Sequence, residues 1–146
     1  MASVNHQHWH VYYYKEKIKI EELPIENNLL MNWPIQAVVY QIEELTIDSI
    51  NKIVDKISNI IDHCHQAEIG YNLFITRSKD NLKVFLWTRK PVLGVKDNLV
   101  NAAFVEFAGL FVCKTKQLFD RINQEFCIEI LESIETKIND IKHLIL

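Results

Sequence analysis

The sequence predicts an α+β fold on a largely antiparallel sheet, and three observations carry that prediction. Asn5-His6-Gln7-His8-Trp9-His10 runs into Val11-Tyr12-Tyr13-Tyr14 with the side-to-side alternation of a β-strand. Ile47, Ile50, Val54, Ile57 and Ile61 recur at threes and fours, the core stripe of an amphipathic helix. Runs rich in β-branched and aromatic residues at 71–77 and 82–89 flank Lys79-Asp80-Asn81, which reads as a hairpin and its turn.

Taken in order, the first strand covers 4–14 and extends through Ile18 and Ile20, which keep the period of two. Pro24 and Pro34 bracket an irregular connector, because proline removes a ladder donor and restricts the residue before it. Ala37-Val38-Val39-Tyr40-Gln41-Ile42 is the next strand. Thr46 caps the following helix and Asp48 suits its positive first turn. Ile53 and Ile60 join its apolar stripe, and Gly70 marks its exit. In the hairpin turn, Asn81 tolerates a positive φ. The run Phe104-Val105-Glu106-Phe107-Ala108-Gly109-Leu110-Phe111-Val112 reads as a strand, although its periodicity leaves a helix open. Asn123 caps a last helix through Phe126, Cys127, Ile130, Leu131 and Ile134, continuing after a break through Ile138, Ile141 and Ile145.

With 146 residues, nearly half of them apolar, the chain can bury a real core. A net charge of −3 provides no basic footprint, which argues against a nucleic-acid partner. Cys64, Cys113 and Cys127 form no Cys-x-x-Cys and read as reduced residues of a cytosolic protein. There is no apolar stretch after a basic start and no run near the roughly 18 apolar residues of a membrane helix. Both readings predict a cytoplasmic protein without a membrane partner.

The chemistry suggested by the first strand lies in its histidines. His6, His8 and His10 fall on one face as a row about 13 Å long, with Gln7, Trp9 and Val11 on the other. A neutral imidazole, with its ordinary pKa near 6.5, is a nucleophile at physiological pH. The central ring can attack a phosphoryl group and carry it covalently while its neighbours donate hydrogen bonds to the phosphate oxygens. A single metal ion fits less well, because the first and third imidazoles are too far apart for bonds of about 2 Å. The alternation with Gln7 and Trp9 also argues against a purification tag. His63-Cys64-His65 falls at a helix end, where neighbouring side chains diverge and a histidine simply suits the negative dipole end. Lys90, Lys96 and Lys114 are conceivable phosphate contacts or solvated lysines, and Glu106 reads equally as a buried functional group or an outward strand residue.

The pattern Asn-His-x-His-x-His followed by aromatics resembles the signature of histidine-triad nucleotide hydrolases and transferases. The wider sequence is similar to the animal GDP-D-glucose phosphorylases within the GDP-hexose phosphorylase family. The similarity runs through Ser3-Val4-Asn5-His6-Gln7-His8-Trp9-His10, Tyr13-Tyr14, Leu23-Pro24-Ile25-Glu26 and Tyr71-Asn72-Leu73-Phe74-Ile75-Thr76-Arg77. It continues through Leu86-Trp87-Thr88-Arg89-Lys90, Gly94-Val95-Lys96-Asp97, Phe104-Val105-Glu106-Phe107-Ala108-Gly109 and Lys114-Thr115. The plant GDP-L-galactose phosphorylases are similar but carry Gln at the position of His10.

The resemblance implies a nucleotidyltransferase in which His8 becomes guanylylated, His6 and His10 orient it or bind phosphate, and Asn5 binds substrate. GDP-hexose and inorganic phosphate are then the substrates, and no metal or organic cofactor is required. It further implies a C-terminal piece of the family protein: a histidine-triad-like antiparallel sheet with packed helices, its first half truncated and its second half a degenerate triad-like unit. On that reading residues 1–22 are the remnant of the catalytic half, 23–34 a connector, and 35–146 a non-catalytic triad-like domain. Val84, Phe85, Leu86 and Trp87 stand where the second unit would otherwise hold histidines. Two alternatives stay open, a catalytically inactive remnant that binds nucleotide or protein, and a nucleotide-sugar hydrolase in which water replaces phosphate.

Overall fold

The hairpin around position 80 is the centre of the architecture. In the computed structural model, which describes residues 9–78, 81–90, 100, 102–136 and 138–145, β4 (Gly70–Ser78) and β5 (Asn81–Arg89) pair in register from Ser78↔Asn81 to Gly70↔Arg89. Asn81 is therefore already a paired strand residue, while Lys79 and Asp80 lie outside the described residues. β3 (Val38–Ile42) adds to the other side of β5, with Val38 opposite Leu86. Two short strands, β1 (Ile25–Glu26) and β2 (Leu29–Leu30), complete an antiparallel sheet of order β1-β2-β3-β5-β4.

These two short strands fall inside the expected connector. Asn27 and Asn28 join them at φ 50° and 60°, the conformation that a two-residue hairpin of the primed type demands and that asparagine tolerates best after glycine. The prolines bracket this hairpin instead of an unstructured stretch.

Pleating divides the sheet into two apolar faces. Val39, Phe74, Phe85 and Trp87 share one face, packed with Ile20, Phe107, Leu118 and Leu131. Phe107 comes from α2 (Phe104–Phe107), Leu118 from α3 (Lys116–Arg121) and Leu131 from α4 (Gln124–Ile134). Val38, Tyr40, Leu73 and Leu86 share the other face, covered by α1 (Ile47–Gln66) and by two 3-10 turns, Ile138–Asp140 and Lys142–Leu144. Flanked by strands and covered on both faces, β5 is buried from Val84 to Arg89. That is why its sequence reads as a continuous apolar run instead of an alternating one. No helix among the described residues is long and apolar enough to cross a membrane.

Both ends of α1 have local causes. Thr46 Oγ1 accepts from Ser49 N–H at 3.1 Å, and Ser49 Oγ accepts from Thr46 N–H at 3.0 Å, a reciprocal cap. At the other end Glu68 takes φ 55° and Ile69 N–H donates to the Cys64 carbonyl at 2.8 Å, a Schellman motif. The exit thus belongs to Glu68. Gly70 already begins β4, where a Cβ would lie 3.0 Å from the Arg89 carbonyl oxygen. The apolar stripe also divides: Ile60 and Cys64 are buried and Ile53, Ile57 and Ile61 pack beside them, but Ile47, Ile50 and Val54 are exposed.

Two further expectations are corrected. Residues 9–18 pair with no strand among the described residues, and the chain then closes a 3-10 turn, Lys19–Glu22, in which Ile18 N–H donates to Glu21 Oε2 at 3.2 Å. That turn buries Ile20 against the sheet, so the strand does not extend to Ile20; positions 4–8 lie outside the described residues. Within 104–112 the chain forms the single helical turn α2 and then an irregular stretch. Glu106 Oε2 accepts from Ala103 N–H at 2.8 Å and fixes the start of this turn, and Gly109, at φ 92°, ends it.

Candidate functional site

Of the histidine row and its neighbour, Asn5, His6 and His8 lie outside the described residues, whereas His10 is placed. The His10 ring stacks on Tyr12, with centroids 6.2 Å apart and planes within 7°. Both lean on Phe104, at 5.9 and 5.7 Å, while Val11 and Tyr13 project into solvent. The alternation read from the sequence therefore survives locally without a paired strand. Phe104 continues the row inward: it stacks on Phe74 of β4 at 6.0 Å, Phe74 meets Phe85 at 6.0 Å, and Phe85 stacks on Trp87 at 5.7 Å. An unbroken series of rings links the histidine segment to the core of the sheet.

The helical turn that carries Phe104 is held from below by buried polar groups. Arg89 Nη1 donates to the Ala102 carbonyl at 2.8 Å, Nε donates to the Lys90 carbonyl at 3.3 Å, and the guanidinium lies over the Phe107 ring at 5.9 Å. Burial lowers the Arg89 pKa from its ordinary 12.5, and the nearby Glu106 carboxylate raises it again. Glu106 is thus a buried residue whose carboxylate fastens the start of α2. Trp33 lies across Gly109 and donates from Nε1 to the Phe107 carbonyl at 2.9 Å, closing the far end of the turn.

The remaining candidates do not gather around His10. Lys90 Nζ donates to the Ser133 carbonyl at 2.8 Å, Lys114 is exposed, and Lys96 lies outside the described residues. His63 and His65 diverge from the last turn of α1, His63 against His143 with ring centroids 5.3 Å apart and His65 toward Tyr71 at 3.4 Å. Between them Cys64 points into the core, where burial raises its thiol pKa. Among the described residues no three His, Cys, Asp or Glu side chains converge on a metal position.

Sequence reasoning missed Phe104 and Arg89 as supports of the histidine segment. It also missed a polar cluster in which Thr76 Oγ1 bonds the Glu21 carboxylate and Lys83 Nζ donates to the Glu21 carbonyl at 2.6 Å. With Lys17, Glu22 and Asn81 these groups line a cavity of about 110 Å³, far below the several hundred Å³ of a typical small-molecule pocket. The signal for this cluster was the register of Thr76 opposite Lys83, which only the hairpin alignment supplies.

An α+β domain that seats a histidine-bearing segment on one face of an antiparallel sheet is the class defined so far. Residues 10–145 match the family model described as GDPGP1-like, C-terminal domain, and the chain belongs to that family. The match begins at His10, so Asn5, His6 and His8 precede it. Among curated proteins, the chain is similar to GDP-D-glucose phosphorylase 1 of Homo sapiens, 27% identical over 151 residues that cover 90% of this chain and 39% of the relative. The Danio rerio protein of the same name is 28% identical over 152 residues, covering 90% and 43% respectively. The chain spans about two fifths of the length of these relatives. No solved structure matches it.

Proposed function

We propose that this chain is the histidine-bearing C-terminal part of a GDP-D-glucose phosphorylase, a cytoplasmic nucleotidyltransferase that converts a GDP-hexose and inorganic phosphate into GDP and hexose 1-phosphate. The observation that carries the reading is Asn5-His6-Gln7-His8-Trp9-His10 standing at the head of a domain of this family. His8 attacks the α-phosphorus and the bond to the sugar-phosphate oxygen breaks, releasing hexose 1-phosphate and leaving GMP on the imidazole. An oxygen of inorganic phosphate then attacks the same phosphorus, displaces His8 and yields GDP. His6 and His10 donate to the non-bridging oxygens where negative charge concentrates, and Asn5 binds the same phosphate. Neither step calls for a metal or an organic cofactor, because positioning and charge stabilisation supply the rate.

In this reading the fold is a histidine-triad-like sheet: residues 1–22 are what the chain holds of the catalytic half, 23–34 connect, and 35–146 form a non-catalytic triad-like domain. The seat that Phe104 provides for His10 and Tyr12 would hold the catalytic segment against that second domain.

The test is covalent labelling. Incubation with GDP-D-glucose labelled in guanine should leave label on the protein after denaturation, lost in His8→Ala and released as GDP on adding phosphate. Release as GMP at an unchanged rate without phosphate assigns hydrolysis instead. A second reading, a catalytically inactive remnant that binds nucleotide or protein, is favoured by the exposure of Trp9, Val11 and Tyr13, an apolar stretch of the kind that marks binding surfaces. It prevails if a folded chain acquires no label, and failure to bind GDP at millimolar concentration then leaves protein as its partner.

A further inference from the structure

Arg89, at the end of β5, is a buried cation that the proposed chemistry does not use, with 7% of it exposed. A guanidinium carries five N–H donors in a fixed fork. Here Nε and Nη1 are spent on the Lys90 and Ala102 carbonyls, which pins its plane, whereas Nη2 donates to no described residue. No described carboxylate forms an ion pair with it. Two acids lie near it, and both are engaged elsewhere. Glu106 Oε2 accepts from Ala103 N–H at 2.8 Å, and Glu135, which forms a β-bridge with Arg89, accepts from Gln36 N–H through Oε1 at 2.9 Å. A buried charge without a counter-ion is costly, and burial accordingly lowers the Arg89 pKa, the Glu106 charge only opposing that shift.

The same corner of the sheet holds two more donors without acceptors. Trp87 precedes Arg89 by two residues on β5, so both side chains lie on the face under α2, where each meets Phe107. Asn72 of β4 stands opposite Trp87 in the ladder and therefore shares that face. Trp87 is fully buried and its Nε1–H has no partner, and Asn72 Nδ2 is likewise buried and unpaired. Native interiors leave few such groups, and each calls for an explanation. A water molecule would satisfy the indole and the amide but not the charge. An oxyanion brings both the acceptor oxygens and the negative charge.

We propose that Arg89, with Trp87 and Asn72, forms a binding site for a small oxyanion of the phosphate class, separate from the histidine row. His10 reaches α2 from outside, through Phe104, whereas Arg89 holds the same turn from within, through the Ala102 carbonyl and the Phe107 ring. The anion completes the guanidinium fork at Nη2 and accepts the indole and amide hydrogens on its other oxygens. Neutralising the buried charge stabilises this corner. Occupancy therefore ties Ala102, and with it the turn that seats the histidine segment, more firmly to β5.

The test follows the indole N–H resonances of the three tryptophans in proton–nitrogen NMR spectra of the whole chain, as sodium phosphate replaces sodium chloride at constant ionic strength and pH 7. The Trp87 signal, assigned by its loss in Trp87→Phe, should move downfield and saturate below about 20 mM phosphate. The thermal midpoint should rise by about 4 °C at ten times the dissociation constant. Both effects should persist in His8→Ala, which removes the proposed nucleophile, so failure of the phosphorylase reading leaves this test untouched. Arg89→Lys, which keeps the charge and loses the fork, should weaken binding at least tenfold. Asn72→Ala, at a half-buried position, should weaken it at least threefold and serves if the Arg89 variant does not fold. A Trp87 signal that stays still, a shift that disappears in His8→Ala, or undiminished binding in either folded variant overturns the proposal. Methyl phosphate tells the free ion from an ester: equal affinity assigns the site to the phosphate group, and tenfold weaker binding assigns it to inorganic phosphate.

Discussion

Replacing Tyr40 by Phe should stabilise this protein, although it deletes a polar group from the core. Tyr40 is 3% exposed and its hydroxyl has no hydrogen-bond partner among the described residues. Burying a hydroxyl unpaired costs about 1 to 3 kcal/mol, a cost the unfolded chain escapes by bonding water. Phe keeps the ring and therefore its packing with Ile60 and Leu86 and its place under the Lys56 ammonium. The expected gain is about 1 to 2 kcal/mol in urea unfolding at pH 7, with a rise of about 3 °C in Tm per kcal/mol at this size.

A pH arm makes the test sharper. Burial raises the Tyr40 pKa above its ordinary 10.0. Between those two values the unfolded chain has released the proton and the folded chain still holds it, so wild-type stability falls as pH rises, by up to about 1.4 kcal/mol per pH unit. Below pH 10 this contribution is constant. The variant lacks it, so the gap between Tyr40→Phe and wild type should widen above pH 10 and flatten beyond the raised pKa. A loss of more than about 0.5 kcal/mol at pH 7 would mean that the hydroxyl has a partner, and a gap independent of pH would mean that burial does not raise its pKa.

Two backbone substitutions should move stability in opposite directions. Glu68→Gly relieves a left-handed residue at the end of α1 and should add about 0.5 to 1 kcal/mol, measured by urea denaturation; no gain would show that the Glu68 side chain compensates its own strain. Gly109→Ala strains φ 92° and drives a Cβ to 2.9 Å from the Trp33 ring, so it should cost about 2 to 4 kcal/mol and shift Trp33 fluorescence; a cost below about 1 kcal/mol refutes the close approach.

What the sequence made legible follows from range. Thr46 and Asn123 were readable as caps because each cap bonds a backbone N–H three residues away, and the same short range made the hairpin around position 80 visible. The stretch at 104–112 was not, because apolar residues on both sides of it erase the period, and the choice of helix rests on Glu106 reaching Ala103 and on Gly109. Ile20 kept a strand's alternation while serving a turn, since one buried isoleucine satisfies either pattern. The overhang of Ile47, Ile50 and Val54 was invisible for another reason: helical periodicity reports which face is apolar, not how far the sheet beneath it extends. At the candidate site, the histidine row was plain in the text, but the Phe104 seat depends on rings more than 90 positions away from His10 and has no local signature.

The burial of β5 on both sides bears on how the protein comes apart. Phe85 and Trp87 belong to the core under α2 and α4, and Leu86 between them belongs to the core under α1. Neither core can be opened while the other keeps its central strand, because the same six consecutive residues, from Val84 to Arg89, hold both faces. The two halves of the interior are therefore thermodynamically one unit, and the slowest-exchanging amides of the native state should all lie on this strand and disappear together in a single transition.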